Sequence, residues 1–258
     1  MSEKDAAPSR PPRVLVPDLA EHLARPEEHQ KISLKVEERE HVRSRRLRDG
    51  DEVVALDGKG ARARAVLVGG GSAIALLPSK KILSSSSSSS TSLPLPGEPA
   101  NRVVVALACA EPARIEWAIE KGTECGAAGF ILLDAERSQR AHVAALAKRV
   151  PRLVRIAQEA TKQCDRTLVP FVEGPKSTGE FLRRARGDRV LVADAGGAPL
   201  AEPSGGAGVV AIGPEGGFAP PEISHFEENS SLFFSLGSRV LRLETAVVVA
   251  LVRLVDPA

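Results

Sequence analysis

The chain has 258 residues, of which 43% are hydrophobic and 26% charged, with a formal net charge of +2 at pH 7. This length and apolar content suffice for the core of one large domain or of two modest ones. So small a net charge does not by itself indicate a nucleic-acid partner. The sequence has neither a long apolar run nor an apolar N-terminal segment, so we expect a cytoplasmic protein without a membrane span or secretory signal.

A cluster of basic residues lies in the N-terminal third. Within "REHVRSRRLR" a single acid, Glu40, accompanies five arginines: Arg39, Arg43, Arg45, Arg46 and Arg48. A solvated helix face is the simpler interpretation of such a cluster taken alone, because long arginine side chains lie easily along a surface.

The next segment predicts a hairpin. "DEVVALDGKGARARAVLV" is typical of two strands joined by a turn at Asp57-Gly58. The second strand alternates alanine with arginine, so Arg62 and Arg64 share one face. Together with "GGGSAIALL", a further turn and strand, this predicts a small β-barrel with a basic side over residues 13–83.

A linker follows. The stretch "SSSSSSSTSLPLPGEP", residues 84–99, changes from serines to alternating prolines and has no apolar periodicity. We therefore expect the chain to divide into two domains here.

Residues 100–258 alternate predicted strands with predicted helices. The strands are "RVVVALA", "GFILLD", "RVLVADA", "GVVAIG" and "LFFSL"; helices are predicted from Pro112, over Arg140–Lys148, from Arg152, from Pro220 or Pro221, and from near Glu244. This alternation, with nearly continuous apolar strands, predicts an α/β domain around a parallel sheet.

The loop "AIGPEGGFAPPEI" follows one of these strands and precedes a helix. Open α/β sheets bind ligands at the carboxyl ends of their strands. Gly213, Gly216 and Gly217 would let backbone approach a ligand, and Pro214 would stiffen the loop. The loop matches neither a Walker motif nor GxGxxG, and a tight structural turn is an equally good interpretation.

Two further segments carry candidate site residues. In "LGSRVLRLETAVVVALVRLV" Arg239 and Arg242 lie between a strand and a helix, where they would either cap carbonyls or bind an anion. In "RLVRIAQEATKQCDR" helical spacing predicts a buried stripe of Leu153, Ile156, Ala157 and Ala160 and a polar face of Glu159, Gln163 and Arg166. An exposed polar stripe is the ordinary explanation of that second face.

The three cysteines Cys109, Cys125 and Cys164 are single and widely spaced. They fit neither a disulfide framework nor a CxxC zinc site, so we interpret them as small core residues and predict no metal site.

Taken in order, these segments resemble the bacterial 16S ribosomal RNA methyltransferases that form N3-methyluridine, a family within the SPOUT class. The most specific match is "IGPEGGF" followed by "LGSRVLRLETA". "RIEWAIEKGTECG", "ERS" and "EATKQCDR" are similar to other family segments, and "EHVRSRRLRDGDEVVALDGKG" is similar to the family's RNA-binding barrel.

The resemblance implies an α/β fold with a C-terminal SPOUT-type parallel sheet tied in a deep trefoil knot, a small N-terminal PUA-like β-barrel, and a homodimer. It also implies an S-adenosylmethionine site. The residues implied for that site are Val192, Ile212, Gly213, Pro214, Gly216, Gly217, Leu236, Gly237, Leu241 and Arg242.

The implied substrate is the N3 atom of one uridine in 16S rRNA of the small ribosomal subunit, with no DNA or membrane partner. Arg166 would stabilise the uracil oxygen that becomes anionic, and Glu215 would accept the proton or only shape the loop. The arginines implied to contact RNA phosphates are Arg43, Arg45, Arg46, Arg48, Arg62 and Arg64.

The sequence departs from the family pattern at a few positions. Leu243 stands where threonine is usual, Cys164-Asp165 replaces Ser-Gly before Arg166, and no basic residue precedes "RIEW". Two alternatives stay open: a non-catalytic RNA-binding or ribosome-assembly factor that retains the fold, and a methyltransferase of the same class that acts on another RNA.

Overall fold

In a computed structural model of the chain, the described residues are 10–25, 31–77, 95, 97–199 and 208–255. They form two compact units. Unit 1 contains the described residues up to Gly97 together with Asp165–Leu168, and unit 2 contains Glu98–Cys164 and the described residues from Val169 onward. Most of the serine- and proline-rich segment 84–99 lies outside the described residues, so the linker and the domain boundaries 13–83 and 100–258 stay predictions.

Unit 1 is built around one sheet of five short strands among the described residues. Its elements are β1 (Arg13–Leu15), α1 (Leu19–Ala24), β2 (Lys31–Ser33), α2 (Val36–Ser44), β3 (Glu52–Leu56), β4 (Arg62–Val68) and β5 (Ala73–Leu76). The strand order is β1-β3-β4-β5-β2, with β1 parallel to β3 and the other pairs antiparallel. In this description β1 and β2 are the edges of the sheet, and the closed PUA-like barrel stays a prediction.

The predicted hairpin is confirmed as β3 and β4, which pair antiparallel. The Asp57 carboxylate closes the turn by accepting the backbone N–H groups of Lys59 and Ala61 at 2.7 and 2.8 Å. Aspartate favours turns because its side chain bonds the backbone two residues on. In β4 the alternation buries Ala63 and Ala65, whereas the arginines between and beside them are not buried.

Unit 2 alternates strands with helices, as the sequence predicts. Its elements are β6 (Val103–Ala108), α3 (Pro112–Glu124), β7 (Gly129–Asp134), α4 (Arg140–Gln163), β8 (Phe171–Ser177), α5 (Thr178–Arg184), β9 (Arg189–Pro199), β10 (Gly208–Ile212), α6 (Pro220–Glu228), β11 (Leu232–Ser235) and α7 (Leu243–Leu254). The described strand pairs of this sheet are parallel, which confirms the predicted parallel α/β architecture. None of the helices described here has the length and apolar character needed to cross a bilayer.

The strand order β11-β9-β10-β6-β7-β8 determines where a crevice opens. From β6 the chain continues through α3 to the neighbouring β7, but from β10 it continues through α6 to β11 on the far side of β9. Because these connections leave β6 and β10 in opposite directions, a crevice is expected at the carboxyl ends of the strands. α7 then returns to pack on α3, β6 and β10.

The prediction of two helices between Arg140 and Gln163 is wrong, because the structure has the single helix α4 with Pro151 inside it. An interior proline removes one backbone hydrogen bond and crowds the preceding turn, at a cost of about 3 kcal/mol. The helix continues because its fully buried stripe extends across the proline, with Leu146 before it and Leu153 after it. Pro151 itself is exposed, so its ring does not disturb the core.

The sequence prediction missed β8 and α5. β8 contains Gly174 and Pro175, which argue against a central strand. It lies at the edge of the sheet beside β7, and an edge strand tolerates proline because its outer side needs no N–H donor. α5 has only seven residues, and it begins with a capping box in which Ser177 and Glu180 satisfy each other's backbone N–H groups.

α4 ends before Arg166. Its last residue is Gln163, Cys164 caps it, and Asp165 has a φ of 70°. A residue in the left-handed conformation after the cap ends a helix, and glycine usually occupies this place. Arg166 is therefore not on the helical face of Glu159 and Gln163, contrary to the prediction; it is buried, with 4% exposure, and belongs to unit 1.

Candidate active site

A cavity of about 350 Å³ opens at the carboxyl ends of β10 and β11, beside the middle of β9. Its walls are the middle of β9, the glycine-rich loop after β10, the connection after β11 and the first turn of α7. The lining residues are Ala193–Ala195, Ile212–Gly217, Ser235–Gly237, Arg239–Leu241, Leu243 and Ala246. A volume in this range, at this edge of a parallel sheet, is typical of a small-molecule site.

Most of the predicted cofactor-binding residues line this cavity. They are Ile212, Gly213, Pro214, Gly216, Gly217, Leu236, Gly237 and Leu241, with the predicted catalytic residue Glu215 among them. Val192 and Arg242 are not among the described lining residues. Val192 is fully buried one position before the lining residue Ala193, and Arg242 is the N-cap residue of α7.

The resemblance also implies that the end of "RVLVADA" reaches the cofactor site, and Ala193–Ala195 do line the cavity. The strand pairing explains this, because Ala193 is opposite Ile212, so a ligand beside the loop after β10 also meets the residues after Ala193. Arg239, which the sequence singled out together with Arg242 as a possible anion ligand, does line the cavity.

Two glycines of the loop are required for different physical reasons. Gly217 has a φ of 70°, a conformation that costs other residues about 1–2 kcal/mol, although a Cβ there would meet no described atom within 4 Å. At Gly213 the limit is space, since a Cβ would lie 3.2 Å from the Phe218 ring. Gly217 therefore lets the loop turn, and Gly213 lets it pack.

Two arginines hold this loop from behind the cavity wall. Arg137 donates from Nη1 to the carbonyl of Gly216. Arg114, in the first turn of α3, donates from Nη1 to Glu215 and from Nε and Nη2 to Oε2 of Glu244, at 2.8 and 2.6 Å. The sequence analysis did not identify either arginine as a site residue.

These contacts determine the charge of both glutamates. The hydrogen bond from Arg114 lowers the pKa of Glu215. Burial raises the pKa of Glu244, but hydrogen bonds from Arg114 and from the backbone outweigh this effect, so its pKa is also lowered. Both carboxylates are therefore ionised at neutral pH, and their lowered pKa makes each of them a weaker proton acceptor.

The predicted RNA-binding arginines lie in unit 1 and form two groups. The first group is exposed around the C-terminal end of α2 and has no described side-chain partner: Arg43, Arg45, Arg46 and Arg48. The second group, on β4, has acidic partners, with Arg64 2.7 Å from Glu52 and Arg62 3.7 Å from Asp165. The first group therefore offers the more available positive charge.

Asp165 ties the segment 165–168 to β1 within unit 1. Its Oδ1 accepts from Nε and Nη2 of Arg13 at 3.0 and 2.5 Å, and Arg10 and Arg62 lie 3.8 and 3.7 Å from the same carboxylate. One carboxylate thus faces three guanidinium groups and fixes the residue that precedes Arg166.

Comparison with known proteins identifies the family. The family model for the RNA methyltransferase domain matches residues 97–255. The ribosomal RNA small subunit methyltransferase E of Bacillus subtilis (strain 168) is 30% identical over 243 residues, which cover 87% of this chain and 90% of the relative. The chain belongs to the ribosomal RNA small subunit methyltransferase E family. The protein of that name from Mycobacterium tuberculosis is 33% identical over 217 residues, 80% of this chain and 79% of the relative.

Solved structures share the fold of this chain. A ribosomal RNA small subunit methyltransferase E from Neisseria gonorrhoeae, bound to S-adenosyl methionine, matches with a TM-score of 0.76 at 24% identity, over 93% of this chain and 95% of that chain. A methyltransferase from Legionella pneumophila, solved in complex with the bound cofactor SAM, matches with a TM-score of 0.76 at 25% identity, over 94% and 96%.

Two departures from the pattern of the methyltransferase E family fall at positions where the structure gives them a role. Leu243 is buried at the start of α7 and lines the cavity, so it makes that wall more apolar than a threonine would. Asp165 occupies a left-handed position, where glycine is least strained. Its ion pair with Arg13 helps to hold this conformation.

Proposed function

We propose that this chain transfers a methyl group from S-adenosylmethionine to N3 of one uridine in the 16S RNA of the small ribosomal subunit. The observation that carries the proposal is the cavity at the carboxyl ends of β10 and β11, walled by the glycine loop of a chain that belongs to this family. The SAM-bound protein from Legionella pneumophila supports the cofactor, and the names of the relatives support the RNA.

The cavity fits the cofactor in its chemistry. Four of its lining residues are glycines, which let a ligand approach the main chain: Gly213, Gly216, Gly217 and Gly237. We assign backbone groups of Ile212, Leu236 and Leu241 to the adenine and amino-acid ends, and the Arg239 guanidinium suits the carboxylate. When bound, S-adenosylmethionine supplies an electrophilic methyl group on a sulfonium.

The residues of the chain then have to make uridine N3 a nucleophile. N3 carries an imide proton, and it reacts well only when that proton leaves and negative charge spreads onto O2 and O4. We assign Arg166 to this charge, because a guanidinium stays protonated and its donors suit an anionic oxygen. Glu215 has less support as the proton acceptor, since its pKa is lowered by Arg114, and its contacts favour a role in holding the loop.

Unit 1 supplies the RNA contacts in this proposal. The exposed arginines at the end of α2 suit phosphates, and such contacts provide affinity and register rather than base choice. Because base pairing blocks N3, the target uridine has to be unpaired or drawn out of its stack.

The finer features of the fold belong to the same proposal: a PUA-like barrel in unit 1, a deep trefoil knot in unit 2, and a homodimer in the cytoplasm. The return of the chain from β11 to α7, which packs on β6 and β10, supports the knot. Four exposed apolar side chains among the described residues of unit 2 support a partner copy: Trp117 at 43%, Leu232 at 51%, Val252 at 60% and Val240 at 93% exposure.

Mass spectrometry of ribosomal RNA tests the function. We expect a deletion strain to lack N3-methyluridine in its 16S RNA and the wild-type gene to restore it. A deletion strain that keeps the modification contradicts the assignment. Calorimetry distinguishes the alternatives: no binding of millimolar S-adenosylmethionine favours a non-catalytic RNA-binding or assembly factor, and binding without loss of the modification favours another RNA substrate.

Gly217→Ala should weaken cofactor binding. Alanine at this φ costs about 1–2 kcal/mol, and the loop can relieve this strain only by moving the cavity wall. Because about 1.4 kcal/mol corresponds to a factor of ten in affinity, we expect a loss of about tenfold. Gly187→Ala is the matched control, because Gly187 has a φ of 92° and open space where a Cβ would lie, but does not line the cavity. Calorimetry measures the cofactor affinity of each variant, and thermal unfolding measures its stability. Equal cofactor affinity in both variants would contradict a role for the loop conformation.

A further inference from the structure

We propose that Arg114 is a positioning residue that fixes the width of the cofactor cavity. This inference rests on the proposed function, because it takes the cavity as the S-adenosylmethionine site. Arg114 is not among the described lining residues. It acts through two glutamates that belong to different walls.

The guanidinium of Arg114 joins elements that lie far apart along the chain. Nη1 donates to Glu215 in the loop after β10, and Nε and Nη2 donate to Glu244 in the first turn of α7. Arg114 itself comes from the first turn of α3, directly after β6. One side chain thus connects three elements at the switch point between β6 and β10.

Each glutamate is coupled directly to the cavity. Glu215 lines it, and Glu244 lies between the lining residues Leu243 and Ala246. A displacement of either carboxylate therefore moves a wall. The cavity keeps its width only while both carboxylates stay on the same guanidinium.

Exposure distinguishes the two contacts. The side chains of Arg114 and Glu244 are 24% and 15% exposed, so water screens this pair only partly. The Glu215 side chain is 54% exposed, so its contact exchanges with water more readily. A guanidinium can hold both because it presents five donors in fixed directions, whereas a lysine ammonium is a compact point charge.

The ion pair between Arg152 and Glu116 provides a matched control. Nε and Nη2 of Arg152 donate to the Glu116 carboxylate at 2.7 and 2.8 Å, so this arginine also makes two charged hydrogen bonds to a glutamate. Glu116 lies in α3, as Arg114 does, and Arg152 lies in α4. Arg152→Gln therefore removes a comparable pair from the same helix and leaves the described cavity lining untouched.

Calorimetry with S-adenosylmethionine, thermal unfolding and steady-state kinetics test the proposal. We expect Arg114→Gln to raise the Kd and the KM of the cofactor about tenfold or more, with kcat at saturating cofactor lowered by less than about threefold. Arg114→Lys should give an intermediate Kd, because lysine keeps the charge but loses the fixed fork of donors that holds both carboxylates. Arg152→Gln should keep the Kd within about twofold of wild type. Its loss of thermal stability should be the smaller one, because Arg152 is 63% exposed and Arg149 still lies 3.3 Å from Glu116.

Glu215→Gln keeps the test decisive if Arg114→Gln folds poorly, because it leaves Arg114 and its contact with Glu244 in place, and a double-mutant cycle applies where both variants fold. Glu215→Gln removes the exposed partner alone, so it should weaken cofactor binding less, and its effect should not add to that of Arg114→Gln. A Kd for Arg114→Gln within about twofold of wild type, or additive effects in the cycle, would overturn the proposal. If the wild-type protein fails to bind the cofactor, the proposed function is overturned as well. If the wild-type protein binds normally and the variants bind with the same Kd, this inference alone is overturned.

Discussion

Arg166→Ala should lower kcat by about 10²–10³-fold, the loss typical of removing one donor from a developing oxyanion. Cofactor affinity should stay within about threefold of wild type. The reason is that the guanidinium is assigned to the uracil oxygen, which becomes anionic only as N3 reacts. Methyl-transfer rates at saturating cofactor and RNA, together with calorimetry for the cofactor, measure the two effects separately.

The burial of Arg166 makes a second variant necessary. The residue is 4% exposed and interacts within the protein, so alanine also leaves buried groups unsatisfied, which costs about 1–3 kcal/mol. Arg166→Lys keeps the charge but loses the planar fork of donors. We expect the lysine variant to be more stable than the alanine variant and still slow. A lysine enzyme with normal kcat, or equal losses of turnover and cofactor affinity, would show that Arg166 has a structural role.

The elements that the sequence predicted correctly rest on local patterns. β7 is a continuous apolar run and is buried along almost its whole length, and β4 alternates alanine with arginine in step with its burial. Such periods can be read without knowledge of the rest of the chain. The glycine loop was predictable for a related reason, because its position between a strand and a helix already places Gly213 and Gly217 at the carboxyl edge of the sheet.

What the sequence did not reveal depends on residues that are far apart along the chain. Arg114 reaches Glu215 across 101 positions, and Arg13 reaches Asp165 across 152, so no local pattern links either pair. Pro151 misled the helix prediction for the same reason. The local cost of a proline is visible in the sequence, whereas the packing of the buried stripe that offsets it exists only in the folded unit.

Neutralising Arg43, Arg45 and Arg46 together should weaken RNA binding about a hundredfold near 0.1 M salt. The slope of log affinity against log salt should fall by about 2, because each phosphate contact on single-stranded RNA contributes about 0.7 to it through counterion release. All three side chains are exposed around the end of α2, and no acidic partner is described for them. Their charge is therefore available to phosphates. Binding measured over a series of salt concentrations gives both quantities.

The location of this charge, rather than its amount, is what the controls test. Neutralising Lys148, Arg155 and Arg186, which are exposed in unit 2, removes the same charge from another surface and should change the slope little. Arg64→Gln should have less effect than loss of an arginine for which no acidic partner is described, because Glu52 lies 2.7 Å from Arg64 and repels an approaching phosphate. If the α2 variant leaves the slope unchanged, the RNA contact lies elsewhere. If both triple variants change the slope equally, the effect comes from net charge alone and not from the position of the arginines.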